Sequence, residues 1–298
     1  MTSTIVTRTL VKRYGQKRAL DGLDLEVQAG SVHGFLGPNG AGKSTTIRIL
    51  LGLARASSGE AAVFGLDPWA DAGRIHKRTA YVPGDVSIWP NLTGGESIDL
   101  LTRMRGGHGA SVAAEKARLM EAFEFEPRTR GRAYSKGNRQ KVALIAALAV
   151  PADLYVFDEP TSGLDPLMEV TFRHEVARLR DRGATVLLSS HILSEVEHLC
   201  DAVSIIRAGR IVDSGSLAEL RHLTRTQFSV DGTDVASVAT LPGVSDVEVR
   251  DGRVHFTVAT DSVNAALAPL GALGVRGLSV QPASLEDVFL RHYGEVQP

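Results

Sequence analysis

The amino-acid sequence predicts an α/β core that is interrupted by a helical segment and followed by a small α+β domain. Short apolar runs with the pattern of strands occur at residues 5–10, 20–27, 32–36, 154–157, 185–188 and 203–206. Between the third and fourth runs the pattern is mainly helical, from Leu92 to about Val150, and Pro151 ends it. An α/β core with a helical insertion explains this order.

The second predicted strand shows strand periodicity most clearly. Its residues Leu23, Leu25 and Val27 alternate with Asp24 and Glu26, so one face is apolar and the other charged. The helix predicted after the third strand carries apolar residues at Ile47, Ile49, Leu50 and Leu51.

The pattern changes again after about Leu220. Short strands are predicted near residues 227–230, 245–250, 253–258 and 278, with a helix at 265–273. We therefore expect one domain at residues 1–221, with a helical subdomain at about 85–150, and an accessory α+β domain at 222–298.

Composition excludes several classes of protein. The net charge of −1 gives no electrostatic reason to expect nucleic acid as a partner. The single cysteine, Cys200, excludes an intrachain disulfide. The longest apolar run, Val142–Val150, is about half of what a membrane-spanning helix needs. The N-terminus lacks the layout of a secretion signal. We therefore expect a chain that is neither membrane-spanning nor exported by that route.

The most informative motif is a glycine-rich run between the third strand and the next helix. It has the pattern GxxxxGKS, and it consists of Gly37, Pro38, Asn39, Gly40, Ala41, Gly42, Lys43, Ser44 and Thr45. In this context glycines allow backbone N–H groups to surround a polyphosphate, and the helix N-terminus attracts the same anion. Lys43 would contact the β and γ phosphates, and the Ser44 hydroxyl would bind Mg²⁺.

Two carboxylates follow the apolar strand 154–157, where they are costly to bury without cations or polarised water. We expect Asp158 to bind Mg²⁺, through water, and Glu159 to polarise the attacking water. His191 follows the strand 185–188 and two serines, at the carboxyl edge of the same sheet. We expect it to donate a hydrogen bond to the γ phosphate.

The order of these motifs resembles that of the ATP-binding subunits of ABC transporters. The resemblance covers about residues 4–220, and it includes the glycine-rich run, Ser135–Gln140, Phe157–Pro160, Ser162–Asp165 and His191. It implies a P-loop NTPase core of the ABC type and an ATPase that uses ATP and Mg²⁺.

The resemblance also implies a homodimer. Ser135 and Gly137 match the family's signature motif, which binds the ATP held by the opposite subunit. Asp165 would communicate across the seam between the two copies. Tyr14 matches the aromatic residue that stacks on adenine, and the alternative is a strand-edge tyrosine without that role.

One position departs from the family. After Tyr81–Pro83 most relatives have a glutamine that contacts Mg²⁺ and the attacking water, whereas this chain has Gly84 followed by Asp85. Three explanations are open: backbone groups and water replace the glutamine, Asp85 takes over its role, or the site hydrolyses ATP slowly. We favour the role of Asp85 as a hypothesis.

By the same resemblance the partner is an integral membrane permease on a separate chain, which places this subunit at the cytoplasmic face of the membrane. The permease would dock near Trp89–Leu92, unless Trp89 is buried in the core. The segment Pro282–Leu290 resembles drug- and antibiotic-export subunits of the daunorubicin-resistance type and suggests a lipophilic cargo. The default expectation for this segment is that it only packs against the rest of the fold.

Three other readings compete with an exporter subunit. One is a soluble ABC-type ATPase that acts on ribosomes, DNA or cluster assembly; ribosome-directed members usually carry two cassettes, and this chain carries one. A small-molecule kinase would not need the Ser135 signature or the pair Glu159 and His191. A weakly hydrolysing, ATP-binding regulatory subunit stays open because of Gly84.

Overall fold

The computed structural model describes residues 2–217, 219, 225–231 and 235–281, and it divides the chain into two compact units, Met1–Ser214 and Gly215–Pro298. The segment Pro282–Leu290 lies outside the described residues. The domain ranges 1–221 and 222–298 stay a prediction.

The strands of the first unit form two sheets. In chain order they are β1 (Ser3–Tyr14), β2 (Lys17–Gln28), β3 (Val32–Leu36), β4 (Ser58–Val63), β5 (Thr79–Val82), β6 (Leu154–Asp158), β7 (Thr185–Ser190), β8 (Ala202–Arg207) and β9 (Arg210–Ser216). One sheet has the antiparallel order β2-β1-β4, and the other has the order β5-β6-β7-β3-β8-β9. Strands β5, β6, β7, β3 and β8 pair in parallel, so their carboxyl ends share one edge.

Seven α-helices lie in the same unit among the residues described. They are α1 (Lys43–Leu50), α2 (Ala72–His76), α3 (Gly94–Met104), α4 (Ala110–Ala122), α5 (Lys136–Leu148), α6 (Pro166–Asp181) and α7 (Leu193–Leu199). Helices α3 to α5 form the helical segment between β5 and β6. Thr93 and Glu96 begin α3 with a reciprocal capping box. Arg118 of α4 donates two hydrogen bonds to Glu175 of α6, at 2.8 and 2.7 Å, which ties this segment to the core.

The apolar core explains why the first unit folds in this way. Strands β3, β6 and β7 are buried along their whole length, as expected for parallel strands covered on both faces. The apolar side chains of β2 that alternate in sequence, Leu23, Leu25 and Val27, are all buried. The core thus holds the ends of β3, β6 and β7 in fixed positions.

In its described residues, the second unit has the element order βαββαβ. Its elements are β10 (Arg225–Asp231), α8 (Val235–Ala239), β11 (Val244–Arg250), β12 (Arg253–Ala259), α9 (Val263–Ala272) and β13 (Arg276–Gln281). The antiparallel sheet order β11-β12-β10-β13 is that of ferredoxin-like folds. Phe228 and Phe256 stack at its core, with ring centroids 5.3 Å apart.

Candidate functional site

The glycine-rich loop joins the end of β3 to the start of α1. A Cβ atom on Gly37 would lie 2.4 Å from the carbonyl oxygen of Ile206, and one on Gly42 would lie 2.7 Å from Leu20 Cδ2. Gly42 also has a φ of +121°, which side chains rarely adopt. The predicted loop residues are continuous and comprise Gly37, Pro38, Asn39, Gly40, Ala41, Gly42, Lys43, Ser44 and Thr45.

Lys43 folds back over this loop. It is 5% exposed, and its Nζ donates to the carbonyl oxygens of Gly37 at 2.6 Å and Pro38 at 3.3 Å. Burial lowers the pKa of Lys43, while the negative charges of Glu159 and Asp158 oppose this shift. The ammonium group is therefore held at the loop and stabilised by two carboxylates.

Asp158 and Glu159 stand at the carboxyl end of β6, beside the end of β7. Asp158 is 6% exposed. The Ser189 hydroxyl donates to Asp158 and accepts from the Glu159 N–H at 3.2 Å. The Glu159 N–H also donates to the Ser189 carbonyl oxygen at 3.1 Å. Ser189 thus holds both acidic residues, a role that sequence reasoning missed.

Glu159 connects the loop lysine to the predicted histidine. Its Oε1 lies 3.6 Å from Lys43 Nζ and 3.4 Å from His191 Nδ1. Glu159 has a φ of +50°, which is uncommon for a residue with a side chain, and such strain often marks functional positions. The structure therefore brings together the three predicted catalytic residues, Lys43, Glu159 and His191.

A cavity of about 300 Å³ opens over the loop, and its lining includes Tyr14, Lys43, Ser44 and Glu159. Tyr14 is the last residue of β1 and is 48% exposed. Lys12 Nζ lies 4.8 Å from the centroid of its ring. Tyr14 thus lies half exposed at the edge of the predicted nucleotide site, with Lys12 over its ring. A larger cavity of about 660 Å³ lies elsewhere and contains none of the predicted site residues in its lining.

Ser135 and Gly137 lie at the start of α5. Ser135 is the N-cap, and its Oγ accepts from the Asn138 N–H at 3.2 Å. A Cβ on Gly137 would lie 2.2 Å from the carbonyl oxygen of Gly163, so a glycine is required there. Within the described part of the chain, no hydrogen bond joins Ser135 or Gly137 to the glycine-rich loop. The structure does not bring this turn together with Lys43 in one chain.

The remaining predicted residues lie around this edge. Gly84 follows β5, and a Cβ there would lie 3.0 Å from the carbonyl oxygen of Asp158. Asp85 is exposed. Asp165 caps α6, where its Oδ1 accepts from the Met168 N–H at 3.0 Å. The roles of Asp85 and Asp165 stay predictions.

A second residue that sequence reasoning missed is Glu195, in the first turn of α7. It accepts hydrogen bonds from Thr161, in the loop after β6, and from Ser190, the last residue of β7. The Ser189–Ser190 pair at a strand end was the available signal. Which partners the hydroxyls would find depends on the register of β6 against β7, which the sequence does not state.

Two family models match the chain. One, described as ABC transporter, matches residues 20–162, and the other, described as ATP-binding protein DrrA1-3-like, C-terminal domain, matches residues 215–293.

Characterised relatives align over nearly the whole chain. The chain is 40% identical to the daunorubicin/doxorubicin resistance ATP-binding protein DrrA of Streptomyces peucetius, over 97% of this chain and 92% of that protein. It is 30% identical to the bacitracin transport ATP-binding protein BcrA of Enterococcus faecalis, over 99% and 97%.

Solved structures show the same fold. An ATP binding subunit of an ABC transporter superposes with a TM-score of 0.69 at 30% identity, over 74% of this chain and 92% of that one. The dimeric structure of a bacterial ABC transporter cassette superposes with a TM-score of 0.64 at 22% identity, over 72% and 98%. The predicted P-loop fold of the ABC type is confirmed.

Proposed function

Because the chain belongs to the family of ABC transporter ATP-binding proteins, we propose that it hydrolyses ATP to power export of a lipophilic compound, such as a drug or antibiotic, through a separate membrane permease. The observation that carries the proposal is the convergence of Lys43, Glu159 and His191 on one edge of the sheet. The cargo class rests on the relatives named for daunorubicin resistance and bacitracin transport.

The geometry of the site supports a hydrolytic role. The loop N–H groups and Lys43 hold the phosphates, and the positive end of the α1 dipole adds to their attraction. Glu159 Oε1 is placed to orient a water molecule and accept its proton. His191, 3.4 Å from that carboxylate, is placed to donate a hydrogen bond to the γ phosphate as charge develops.

Mg²⁺ fits the donor set. Among the described residues no group of three or more His, Cys, Asp or Glu side chains could hold a metal ion by itself. Mg²⁺ bound to a nucleotide needs few protein ligands, because phosphates and water supply most of its oxygens. The Ser44 hydroxyl and the Asp158 carboxylate, which the Ser189 hydroxyl orients, would hold it. When bound, the ion would neutralise phosphate charge.

A homodimer would complete the site. Ser135 and the N-terminus of α5 would form an anion-binding turn, and among the residues described this turn has no hydrogen bond to the glycine-rich loop of its own chain. A second copy in head-to-tail, two-fold arrangement would place this turn over the first copy's ATP. ATP would then close the dimer, and hydrolysis would release it, because the γ phosphate is shared only in the closed form.

The permease would be the part that crosses the membrane. No helix in the described ranges is both long and apolar enough to span a bilayer. Trp89 is 41% exposed, which favours an interface role over a core role. We propose that the permease docks at Trp89–Leu92 and that this subunit lies at the cytoplasmic face of the membrane.

The test is ATP-dependent transport. The chain is co-expressed with a candidate polytopic permease encoded beside it, and uptake of fluorescent daunorubicin is measured in inverted membrane vesicles. We expect uptake that needs Mg-ATP and is lost with Glu159→Gln. Mg-ATP-driven uptake that persists with Glu159→Gln, or its absence with the permease present, would count against the proposal.

A further inference from the structure

Two loops that follow neighbouring parallel strands meet on one carboxylate. Thr161, in the loop after β6, donates from Oγ1 to Oε1 of Glu195. Ser190, the last residue of β7, donates from Oγ to Oε2 of Glu195 at 2.8 Å. Thr161 and Ser190 are only 7% and 2% exposed, so little water competes for these hydrogen bonds. Each oxygen of Glu195 therefore holds a different loop.

These loops carry two of the residues assigned to ATP hydrolysis. Glu159 precedes Thr161 by two positions, and His191 directly follows Ser190. Glu159, His191 and Glu195 line one cavity of about 240 Å³. Glu159 Oε1 and His191 Nδ1 lie 3.4 Å apart and thus belong to two loops that Glu195 joins by hydrogen bonds.

The turn that contains His191 is built around the Ser190 hydroxyl. Ser190 Oγ accepts from the Ile192 N–H at 2.9 Å, so the residues on both sides of His191 are joined. The same hydroxyl has one hydrogen, and Glu195 at 2.8 Å is a closer acceptor than the Ile192 carbonyl oxygen at 3.3 Å. The Glu195 carboxylate therefore determines how this hydroxyl, and with it the turn, is oriented.

We propose that Glu195 is a positioning residue that fixes His191 relative to Glu159 by accepting one hydrogen bond from each of their loops. The inference rests on the assignment of Glu159 and His191 to ATP hydrolysis. A carboxylate suits the position because its two oxygens satisfy two hydroxyl donors at once. A displacement of the His191 turn would then also move Glu195 and its hydrogen-bond donor Thr161, together with the loop that leads from Thr161 to Asp165.

Glu195→Ala is the direct test. It should lower kcat for ATP hydrolysis about tenfold while leaving the KM for ATP and the affinity for a fluorescent ATP analogue unchanged, because misplaced catalytic groups affect turnover. In a His191→Ala background the same substitution should add less than about a twofold loss, because Glu195 acts through His191. Ser194→Ala, at an exposed serine of the same helix, is the control and should leave kcat unchanged.

A second measurement needs no nucleotide. Amide hydrogen exchange should rise together in segments 160–165 and 190–193 of Glu195→Ala, because the variant releases both loops. Thr161→Val removes one of the two donors at similar volume, and it replaces Glu195→Ala as the deciding variant if the latter does not fold.

Several outcomes would overturn the proposal. One is an unchanged kcat in a folded Glu195→Ala protein. Another is a double variant whose loss of kcat equals the product of the losses from Glu195→Ala and His191→Ala. The third is an increase in amide hydrogen exchange in only one of the two segments. Full hydrolysis by both Glu159→Gln and His191→Ala would instead refute the catalytic assignment, so failure of the proposed function is separately recognisable.

Discussion

Lys43 Nζ lies 3.6 Å from Glu159 Oε1, and both groups face the cavity over the glycine-rich loop. The ammonium is almost fully buried and donates to Gly37. A bound triphosphate would compete with the Glu159 carboxylate for this one positive charge. The γ phosphate and the carboxylate would also repel each other, so the residue that we propose drives hydrolysis would also weaken ATP binding.

Glu159→Gln should therefore separate binding from turnover. We expect kcat to fall by a factor of at least about 100, because the base is removed. ATP affinity should rise, since the competing charge is lost, and the variant should accumulate as an ATP-bound dimer. Size-exclusion chromatography with saturating Mg-ATP and a nucleotide-binding titration measure both effects. Glu121→Gln, on the exposed face of α4, is the control. A purely monomeric Glu159→Gln protein would contradict the prediction.

Ser189→Ala should weaken metal-dependent turnover. The fully buried Ser189 hydroxyl donates to Asp158 and accepts from the Glu159 N–H. Its loss leaves Asp158 without this donor, and we expect about a tenfold lower kcat together with a higher Mg²⁺ concentration for half-maximal activity. The measurement is ATPase rate against Mg²⁺ concentration. Ser194→Ala, at an exposed serine of α7, should behave as the parent chain. A lower rate with an unchanged Mg²⁺ dependence would refute the role in metal binding.

Much of the site follows from strand order. Asp158 directly follows an apolar run that is typical of a parallel strand, and His191 follows another such run and two serines. The carboxyl ends of such strands share an edge. The motif containing Lys43 comes after a third strand of the same sheet, β3, which pairs with β7. Sequence reasoning could therefore expect these residues to converge, although not at which distances.

Other features leave too little pattern to predict. Strand β4 (Ser58–Val63) is exposed in its first half and consists mainly of small and polar residues, so it lacks the alternation that identifies strands. Strand β5 (Thr79–Val82) has only four residues. The contact of Glu195 with Thr161 joins side chains 34 residues apart in sequence, and such a contact depends on three-dimensional register.

Gly84→Gln should not improve the site. Any Cβ at this position lies 3.0 Å from the carbonyl oxygen of Asp158, which is tighter than most Cβ contacts, so the end of β6 has to give by a few tenths of an ångström. We expect Gly84→Ala and Gly84→Gln both to lower kcat severalfold, because the shift moves Asp158 and Glu159. Gly73→Ala, whose Cβ would meet nothing within 4 Å, is the control. A Gly84→Gln protein with faster ATP hydrolysis would show that the glutamine fits after all.

Asp85→Ala tests the hypothesis that Asp85 replaces the missing glutamine. The side chain is exposed and next to Gly84, so it would have to turn towards the site when nucleotide and permease bind. If it does, permease-coupled ATPase activity should fall about tenfold, whereas basal activity should change less. Asp67→Ala, in an exposed turn, is the control. Unchanged coupled activity in Asp85→Ala would end the hypothesis.

His33 should make the first unit acid-sensitive. It is buried in β3, its Nε2 shares a hydrogen bond with Ser204 Oγ at 2.9 Å, and burial lowers its pKa to about 4 from 6.5. Between these values the unfolded chain binds a proton that the folded chain does not. The stability that the folded state gains from keeping His33 neutral is therefore complete above pH 6.5 and is lost as the pH falls towards 4. The loss of unfolding free energy reaches about 3 kcal/mol below that window.

Urea unfolding at pH 7 and pH 5, followed by fluorescence of Trp69 and Trp89, measures this loss of stability. His33→Gln should show a smaller loss of stability between the two pH values, and an identical loss in both proteins would exclude His33 as the cause.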